Sequence, residues 1–249
     1  MNAPLAPVGP APIRAVLFDK DGTLFGFQET WGPWAVRLLR GLARDGAQAE
    51  TLAAALRFDL AAARFAPDSP AVAGTLAEQV ALLLPLLPGW DADGLREHLS
   101  RTAAEAVPVP AADLVPLLTG LRARGLGIGI ATNDGAHPAR RHLEGAGLTG
   151  LVDWLAGYDS GHGAKPAPGM LLAYARAAGV DPAEVAMVGD SLHDLHAARA
   201  AGMVAVGVLT GTAGRAELAP HADVVLDSVA ALPDWLDARA AAQRAVAGR

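Results

Sequence analysis

Carboxylates, a lysine and a hydroxyl follow several apolar segments of the chain, at the points where those segments end. Asp19 and Asp21 come directly after the apolar run that ends at Phe18. Acids this close repel each other unless a cation or a hydrogen-bond donor lies between them. The same placement after later apolar runs is found for Thr132, Asn133, Lys165, Asp190 and Asp194. Such a set of side chains suits a divalent cation beside a phosphate group.

The chemistry depends on these side chains lying together. In an open parallel sheet, ligands bind beyond the carboxyl ends of the strands, so residues that follow different strands meet in one crevice. Several carboxylates there offer the hard oxygen ligands that Mg²⁺ prefers. A lysine and the N–H groups of helix N-termini would bind a dianionic phosphate. We therefore predict a Mg²⁺ cofactor and phosphoryl-transfer chemistry, in which electrostatic stabilisation is the main catalytic contribution.

The pattern of apolar segments predicts the sheet that this crevice requires. Short apolar runs typical of buried strands alternate with segments of helical spacing, which indicates a doubly wound parallel sheet with a Rossmann-like α/β core. The predicted strands are 14–18, 126–132, 151–157, 184–190, 203–209 and 222–228. The predicted helices are 112–125, 136–147, 168–179, 192–202 and a last one over 228–247, interrupted near Pro233.

A helical block interrupts this alternation after the first strand. The spacing predicts helices over 34–46, 49–65, 75–87 and 93–106, and no strand among them. We therefore predict two domains: a core of residues 13–25 and 108–249, and an inserted all-helical cap of residues 26–107. The two crossings between them, at 25–28 and 107–110, form the expected hinge.

Composition excludes several classes of protein and site. The chain of 249 residues is 52% hydrophobic, enough for a sizeable core, and has a net charge of −6. An acidic balance argues against nucleic-acid partners and anionic membranes. The absence of cysteine excludes disulfides, thiolate metal sites and a cysteine nucleophile. The most apolar stretch, 80–88, is too short to span a bilayer. Residues 1–12 are expected to be a flexible lead without signal-peptide features, and the protein to be cytoplasmic.

Four short motifs carry a family resemblance. DKDGT at 19–23, Thr132-Asn133, Lys165-Pro166 and GDSLHD at 189–194 resemble, in order, the four motifs of the haloacid dehalogenase-like hydrolase superfamily. The helical insert resembles the cap of the subgroup that includes phosphoglycolate phosphatases. The resemblance covers about residues 13–245. It implies a phosphatase that acts on a small phosphorylated metabolite, and it leaves the substrate and the oligomeric state open.

The resemblance also implies roles in phosphoryl transfer. Asp19 resembles the nucleophile that forms an aspartyl-phosphate. Asp21 resembles the general acid for the leaving oxygen and then the base for the attacking water. Thr132 would hold a phosphoryl oxygen, and Lys165 would offset the charge of Asp19 and of the phosphoryl group. Asn133 would either help to order the phosphate loop or cap the following helix.

For the metal, the resemblance implies ligands from both ends of the chain. Asp190 would bind Mg²⁺ together with the Asp19 carboxylate and the backbone carbonyl of Asp21. Asp194 would support the metal site, through water or otherwise. Ser191, beside this group, is as readily explained as a helix N-cap as by a functional hydroxyl.

Two other functions stay open. A phosphosugar mutase of the beta-phosphoglucomutase kind has the same core, but its cap readmits a bisphosphate instead of water. A non-catalytic module that binds phosphorylated ligands is the alternative from another class, and the presence of both Asp19 and Asp21 argues against it. Asp21 also argues against dehalogenase chemistry, since dehalogenases of this superfamily lack an acid there.

Several other residues have alternative interpretations. We expect Lys20 to be a solvated side chain or a hinge contact without a catalytic role. Trp31 and Trp34 either line the substrate pocket or, as we favour, anchor the first helix of the cap. A further set of basic side chains could reach the phosphate or a second anion of the substrate. The simpler interpretation is that they lie at the surface: His162, His193, His196, Arg37, Arg57 and Arg64.

Overall fold

The fold has eleven α-helices and eight strands within residues 11–247, which are the residues that this computed structural model describes. The strands are β1 (Ala15–Phe18), β2 (Phe58–Asp59), β3 (Arg64–Phe65), β4 (Gly127–Ala131), β5 (Trp154–Ala156), β6 (Val185–Gly189), β7 (Val204–Val208) and β8 (Val224–Leu226). The helices are α1 (Phe27–Leu42), α2 (Gly46–Ala55), α3 (Pro70–Ala73), α4 (Leu76–Leu83), α5 (Ala92–Ala104), α6 (Leu114–Ala123), α7 (Ala136–Gly145), α8 (Gly169–Ala178), α9 (Leu192–Ala201), α10 (Arg215–Leu218) and α11 (Leu232–Ala247). Most of the predicted flexible lead lies outside the described residues.

Six of the strands form one parallel sheet in the order β5-β4-β1-β6-β7-β8. The central strand β1 is buried on both sides, because successive side chains of a strand point to opposite faces. Val16 and Phe18 belong to one hydrophobic cluster, with residues of α6 and α11. Ala15 and Leu17 belong to a second cluster, with residues of α8 and α9. Helices therefore cover both faces, and the predicted doubly wound fold is confirmed.

The predicted core elements differ from the observed ones mainly at their ends. The strand predicted over 151–157 begins only at Trp154, because a single 3₁₀ turn, Thr149–Leu151, precedes it. The last helix is not interrupted by Pro233, contrary to the prediction. Pro233 lies in the first turn of α11, where the missing N–H has no partner within a helix anyway.

The insert between β1 and α6 has a hydrophobic core of its own. All buried residues of this core lie between Phe27 and Ala106. The insert is mainly helical, as predicted, but the prediction that it contains no strand is wrong. The helix predicted over 49–65 ends at Ala55, and β2 pairs with β3 in a short antiparallel hairpin. Asp59 turns the chain there, since its Oδ1 accepts hydrogen bonds from the backbone N–H groups of Ala61 and Ala62, both at 2.8 Å.

The two connections between insert and core run side by side. The Gly26 N–H donates to the Val109 carbonyl at 2.8 Å, and the Ala111 N–H donates to the Leu24 carbonyl at 2.9 Å. The predicted hinge segments are thus joined by backbone hydrogen bonds. The domain boundaries at 26 and 107 and the hinge motion stay predictions. Of the helices described, none is both long and apolar enough to cross a membrane.

Candidate active site

A cavity between the carboxyl edge of the sheet and the insert collects the predicted site residues. Its free volume is about 80 Å³, and since one water needs on the order of 10–15 Å³, there is room for a small group of atoms. All seven predicted residues line it: Asp19, Asp21, Thr132, Asn133, Lys165, Asp190 and Asp194. The sequence did not predict that Asp134 would join them.

Lys165 connects two of the acids. Its Nζ donates to Asp19 Oδ1 and to Asp194 Oδ1, both at 2.6 Å, and to the Ala131 carbonyl at 2.8 Å. An ammonium group has three N–H donors, so all are used within the protein. Burial alone would lower the pKa of Lys165, but the carboxylates of Asp19 and Asp194 outweigh it and raise that pKa above its usual value. Lys165 is therefore a fixed positive charge beside the predicted nucleophile.

Three buried acids form a group that fits a divalent cation. Oxygen atoms of Asp19, Asp190 and Asp194 lie within 4.8 Å of one another. The pKa of Asp19 is raised to about 7, because burial and the charges of Asp194 and Asp21 together outweigh the lowering by Lys165. Burial, Asp19 and Asp194 likewise raise the pKa of Asp190. Asp19 and Asp190 therefore resist ionisation together, and a divalent cation bound among the three carboxylates would balance their charge.

Two glycines leave room for the Asp190 carboxylate. Gly22 has a left-handed backbone with φ of +83°, and a Cβ there would lie 2.3 Å from Asp190 Oδ2. A Cβ at Gly211 would lie 1.7 Å from the same oxygen. The hydroxyl of Thr23 donates to Asp190 Oδ1 at 3.2 Å. The DKDGT motif thus supplies the turn and the hydroxyl that hold an acid from the end of the neighbouring strand β6.

Asn133 joins two of the predicted motifs. Its Nδ2 donates to the Lys165 carbonyl, and its Oδ1 accepts from the Lys165 N–H, both at 2.9 Å. These contacts favour the interpretation that Asn133 orders the loop that carries Lys165. The alternative, a cap of the following helix, does not apply, because Gly135 is the N-cap of α7. Thr132 is buried, and its Oγ1 accepts from the Asp134 N–H at 3.0 Å. The contacts of Asn133 and Thr132 hold Thr132 and the loop that carries Lys165 in position next to Asp19.

Lys20 is fully buried, so the prediction of a solvated side chain is wrong. Its Nζ donates to Asp21 Oδ1 at 2.9 Å and contacts His142 Nδ1 at 3.0 Å. It also forms an ion pair with Asp134 Oδ2 at 3.0 Å. Asp21 and Asp134 outweigh burial and raise the pKa of Lys20. The partners Asp134 and His142 follow in sequence more than a hundred residues later, so no local pattern could have indicated them.

The contacts of His142 determine its protonation. Burial and the Lys20 ammonium lower the pKa of His142 to about 4, so the ring is neutral at pH 7. Lysine can only donate, so Nδ1 accepts from Lys20. Nε2 then carries the hydrogen and donates to the carbonyl of Ala103, in α5 of the insert, at 2.9 Å. One buried chain of polar contacts therefore runs from Asp21 through Lys20 and His142 to the insert.

The two tryptophans of α1 do both things that the sequence suggested. Trp31 and Trp34 are buried in the core of the insert, with their rings edge to face at 5.0 Å, and both line the cavity. The Trp31 Nε1–H donates to Asp21 Oδ1 at 2.8 Å, which brings the insert into contact with the predicted acid. Trp34 Nε1 is buried without a hydrogen-bond partner in the described residues.

The remaining candidates divide between the cavity and the surface. His193 lines the cavity, so the interpretation as a surface residue is wrong. Ser191 donates through its backbone N–H and its hydroxyl to Asp194 Oδ2, at 3.0 and 2.7 Å, which fits the helix-capping interpretation. The other candidates are exposed and outside the cavity lining: His162, His196, Arg37, Arg57 and Arg64.

Comparisons with known proteins identify the family and the enzyme class. Residues 13–202 match the family model of the haloacid dehalogenase-like hydrolases. A phosphoglycolate phosphatase of Rhodospirillum rubrum is 34% identical over 239 residues, which cover 90% of each chain. These matches confirm the predicted enzyme class, a phosphatase.

Two solved structures share the fold. A HAD phosphatase from Thermococcus onnurineus superposes with a TM-score of 0.59 at 24% identity, over 90% of this chain and 98% of that one. A beta-phosphoglucomutase from Clostridium difficile superposes with a TM-score of 0.63 at 19% identity, over 95% of this chain and 100% of that one. The family model and the relative show that the chain belongs to the haloacid dehalogenase-like hydrolases.

Proposed function

We propose that this protein is a Mg²⁺-dependent phosphatase that hydrolyses small phosphomonoesters through an aspartyl-phosphate. The observation that carries the proposal is the contact of Lys165 with Asp19 and Asp194 at 2.6 Å, beside Asp190 in the same cavity. The name of the Rhodospirillum rubrum relative, phosphoglycolate phosphatase, supports a small substrate of this kind.

Asp19 would act as the nucleophile. One of its oxygens forms a bond to phosphorus while the bond from phosphorus to the alcohol oxygen breaks. Lys165 keeps the carboxylate oriented and offsets the negative charge that two anions bring together. Water then attacks the phosphorus of the aspartyl-phosphate, which releases inorganic phosphate and restores the Asp19 carboxylate.

Asp21 would move the protons in both steps. It gives a proton to the departing alcohol oxygen and later takes one from the attacking water, so ester and water become alcohol and phosphate. Its Oδ1 already accepts hydrogen bonds from Lys20 and Trp31, at 2.9 and 2.8 Å. Its Oδ2 has no hydrogen bond from the residues described, so Oδ2 is the oxygen that we expect to carry the proton.

The oxygen ligands fit Mg²⁺. Asp19 and Asp190 offer carboxylate oxygens within one small volume, and Gly22 and Gly211 leave space beside Asp190. One oxygen of Asp194 accepts from Lys165 and the other accepts from Ser191, so both already have partners within the protein. This favours the predicted supporting role of Asp194. Mg²⁺ bound there would neutralise charge on the phosphoryl group.

One feature favours hydrolysis over the mutase alternative. A mutase must hold a sugar phosphate in two orientations, which requires polar contacts in the cap. Among the described lining residues, the insert offers one side-chain amide, that of Gln79, and no ionisable group. The structural match to beta-phosphoglucomutase, at 19% identity, concerns the fold alone.

Release of phosphate from p-nitrophenyl phosphate tests the proposal. We expect release to require Mg²⁺ and to be lost in Asp19→Asn, which keeps the shape of the side chain and removes its charge. Asp93→Asn is the matched control, because Asp93 is exposed on α5 and pairs only with Arg96 in the described structure. Full activity of Asp19→Asn would refute the assignment of the nucleophile.

A further inference from the structure

The insert side of the cavity consists of rings and hydrocarbon. Its main lining side chains are Phe27, Trp31, Trp34, Phe65, Val72 and Leu76, and the lone side-chain amide is that of Gln79. Among the described residues that line the cavity, the insert provides no Arg, Lys, His, Asp or Glu. The phosphoryl group must reach Asp19 at the sheet edge, so the alcohol part of the substrate lies against these rings.

The core side of the cavity is strongly acidic. Five carboxylates line it: Asp19, Asp21, Asp134, Asp190 and Asp194. Lys165 lines it too, but its three donors are already used within the protein, and Lys20 is fully buried among its own partners. His193 is the remaining basic side chain of the described lining, and it lies beside Asp194 in the chain.

A substrate with a second negative charge would therefore fit poorly. Its anionic group would lose water against aromatic rings and find no cation on the insert to replace that water. The arginines Arg37, Arg57 and Arg64 are exposed and outside the lining. The unpaired Nε1–H of Trp34 and the amide of Gln79 are neutral, and they suit an ether, carbonyl or hydroxyl oxygen.

We infer that the substrate is the phosphate monoester of an uncharged, largely apolar alcohol, with a ring or branched hydrocarbon part packed on Phe27, Trp34 and Phe65. This inference rests on the proposed phosphatase function and adds the class of leaving group. It separates this chain from an enzyme for phosphoglycolate, whose alcohol part carries a carboxylate.

Three esters of primary alcohols test the inference by turnover: benzyl phosphate, ethyl phosphate and phosphoglycolate. We expect kcat/KM for benzyl phosphate to exceed both others by at least about tenfold, since apolar contacts of this size discriminate by factors of that order. An equal or higher kcat/KM for phosphoglycolate overturns the inference and leaves the phosphatase function intact.

A charge placed on the insert provides the second test. Gln79→Arg puts a cation into the lining, and we expect the ratio of phosphoglycolate to ethyl phosphate turnover to rise by on the order of tenfold. Thr51→Arg makes the same charge change on the exposed outer face of α2 and should leave that ratio unchanged. A ratio unaltered in Gln79→Arg counts against the inference.

A binding measurement separates this inference from the proposed function. Calorimetry with 2-phenylethylphosphonate and 3-phosphonopropionate, both non-hydrolysable, compares the two leaving groups without turnover. We expect the phenyl compound to bind the wild-type protein with Mg²⁺ at least about tenfold more tightly. Tighter binding of the carboxylate compound overturns the inference, whereas absence of phosphate release from every ester overturns the proposed function alone.

Discussion

The hydrogen bond from Trp31 to Asp21 should determine how well the enzyme expels poor leaving groups. Trp31→Phe keeps an aromatic ring against Trp34 and His142 but removes the Nε1–H that donates to Asp21 Oδ1 at 2.8 Å. Lys20 still donates to the same oxygen at 2.9 Å. The carboxyl group thus keeps one of its two orienting contacts, and the variant tests positioning and not the presence of the acid.

The size of the effect follows from this contact. A hydrogen bond to a charged group contributes about 1.5–3 kcal/mol, and each 1.4 kcal/mol changes a rate by about tenfold. Since Lys20 still orients Asp21, we expect the lower end of that range, a loss of about 10- to 30-fold in kcat/KM for benzyl phosphate. Nitrophenolate leaves with little help from an acid, so p-nitrophenyl phosphate should lose less than about threefold.

The assay is steady-state release of phosphate from both esters, compared as kcat/KM because that ratio reports formation of the aspartyl-phosphate. Trp90→Phe is the matched control, since Trp90 lies on the insert, outside the cavity lining, and its ring contacts His98. Thermal unfolding of each variant detects any general loss of structure. Equal losses on both esters, or no loss on benzyl phosphate, would show that Trp31 does not position the acid.

Three further predictions concern the charges of the site. Gly211→Ala places a Cβ 1.7 Å from Asp190 Oδ2 and should raise the Mg²⁺ concentration for half-maximal activity at least about tenfold. Gly214→Ala is the control, because Gly214 has open space around it, and should leave that concentration unchanged. Lys165→Met leaves two buried carboxylates without their cation and should lower the free energy of unfolding by about 3–5 kcal/mol in chemical denaturation; an unchanged value would contradict the pairing. Burial raises the pKa of Asp19 to about 7, so the metal-free protein loses stability as pH rises from the unfolded pKa of about 4 towards 7. Mg²⁺ requires the ionised form, so its shift of the melting temperature should be larger at pH 8 than at pH 5; an equal shift would count against direct binding by Asp19.

The sequence was sufficient to predict the fold and the residues at the strand ends. Apolar runs of five to seven residues with turns after them have few alternatives to a parallel sheet. The carboxyl edge of that sheet brings Asp19, Thr132 and Asp190 together. The hairpin in the insert was missed, because the alanines before Asp59 continue a helical pattern. The Asp59 carboxylate accepts hydrogen bonds from the N–H groups that follow it, and these bonds compete with the helix and end it. The spacing of apolar residues gives no sign of such bonds.

The burial of Lys20 was missed for a different reason. A lysine between two acids in a turn is normally solvated, and only its long-range partners make burial favourable. Asp134 and His142 belong to the loop after β4 and to α7, and they meet Lys20 only when the sheet has formed. The same holds for the insert side of the cavity, whose lining residues come from α1, β3, α3, α4, α5 and the loop residue Gly74. Residues that meet only through tertiary structure have no characteristic spacing in the sequence by which their contact could be predicted.

These missed contacts converge on one atom, Asp21 Oδ1. Lys20, from the core, and Trp31, from the insert, both donate to it, and His142 connects the same lysine to Ala103 of the insert. If the insert moved away from the sheet, Oδ1 would lose the Trp31 donor and Lys20 would lose the support of the His142–Ala103 contact. The acid would then be poorly oriented at the moment when the cavity is open to water. We therefore expect a single movement of the insert both to close the apolar lining over the alcohol and to orient Asp21. Protonation of the leaving group would then occur only after the hydrocarbon part of the substrate has displaced the solvent.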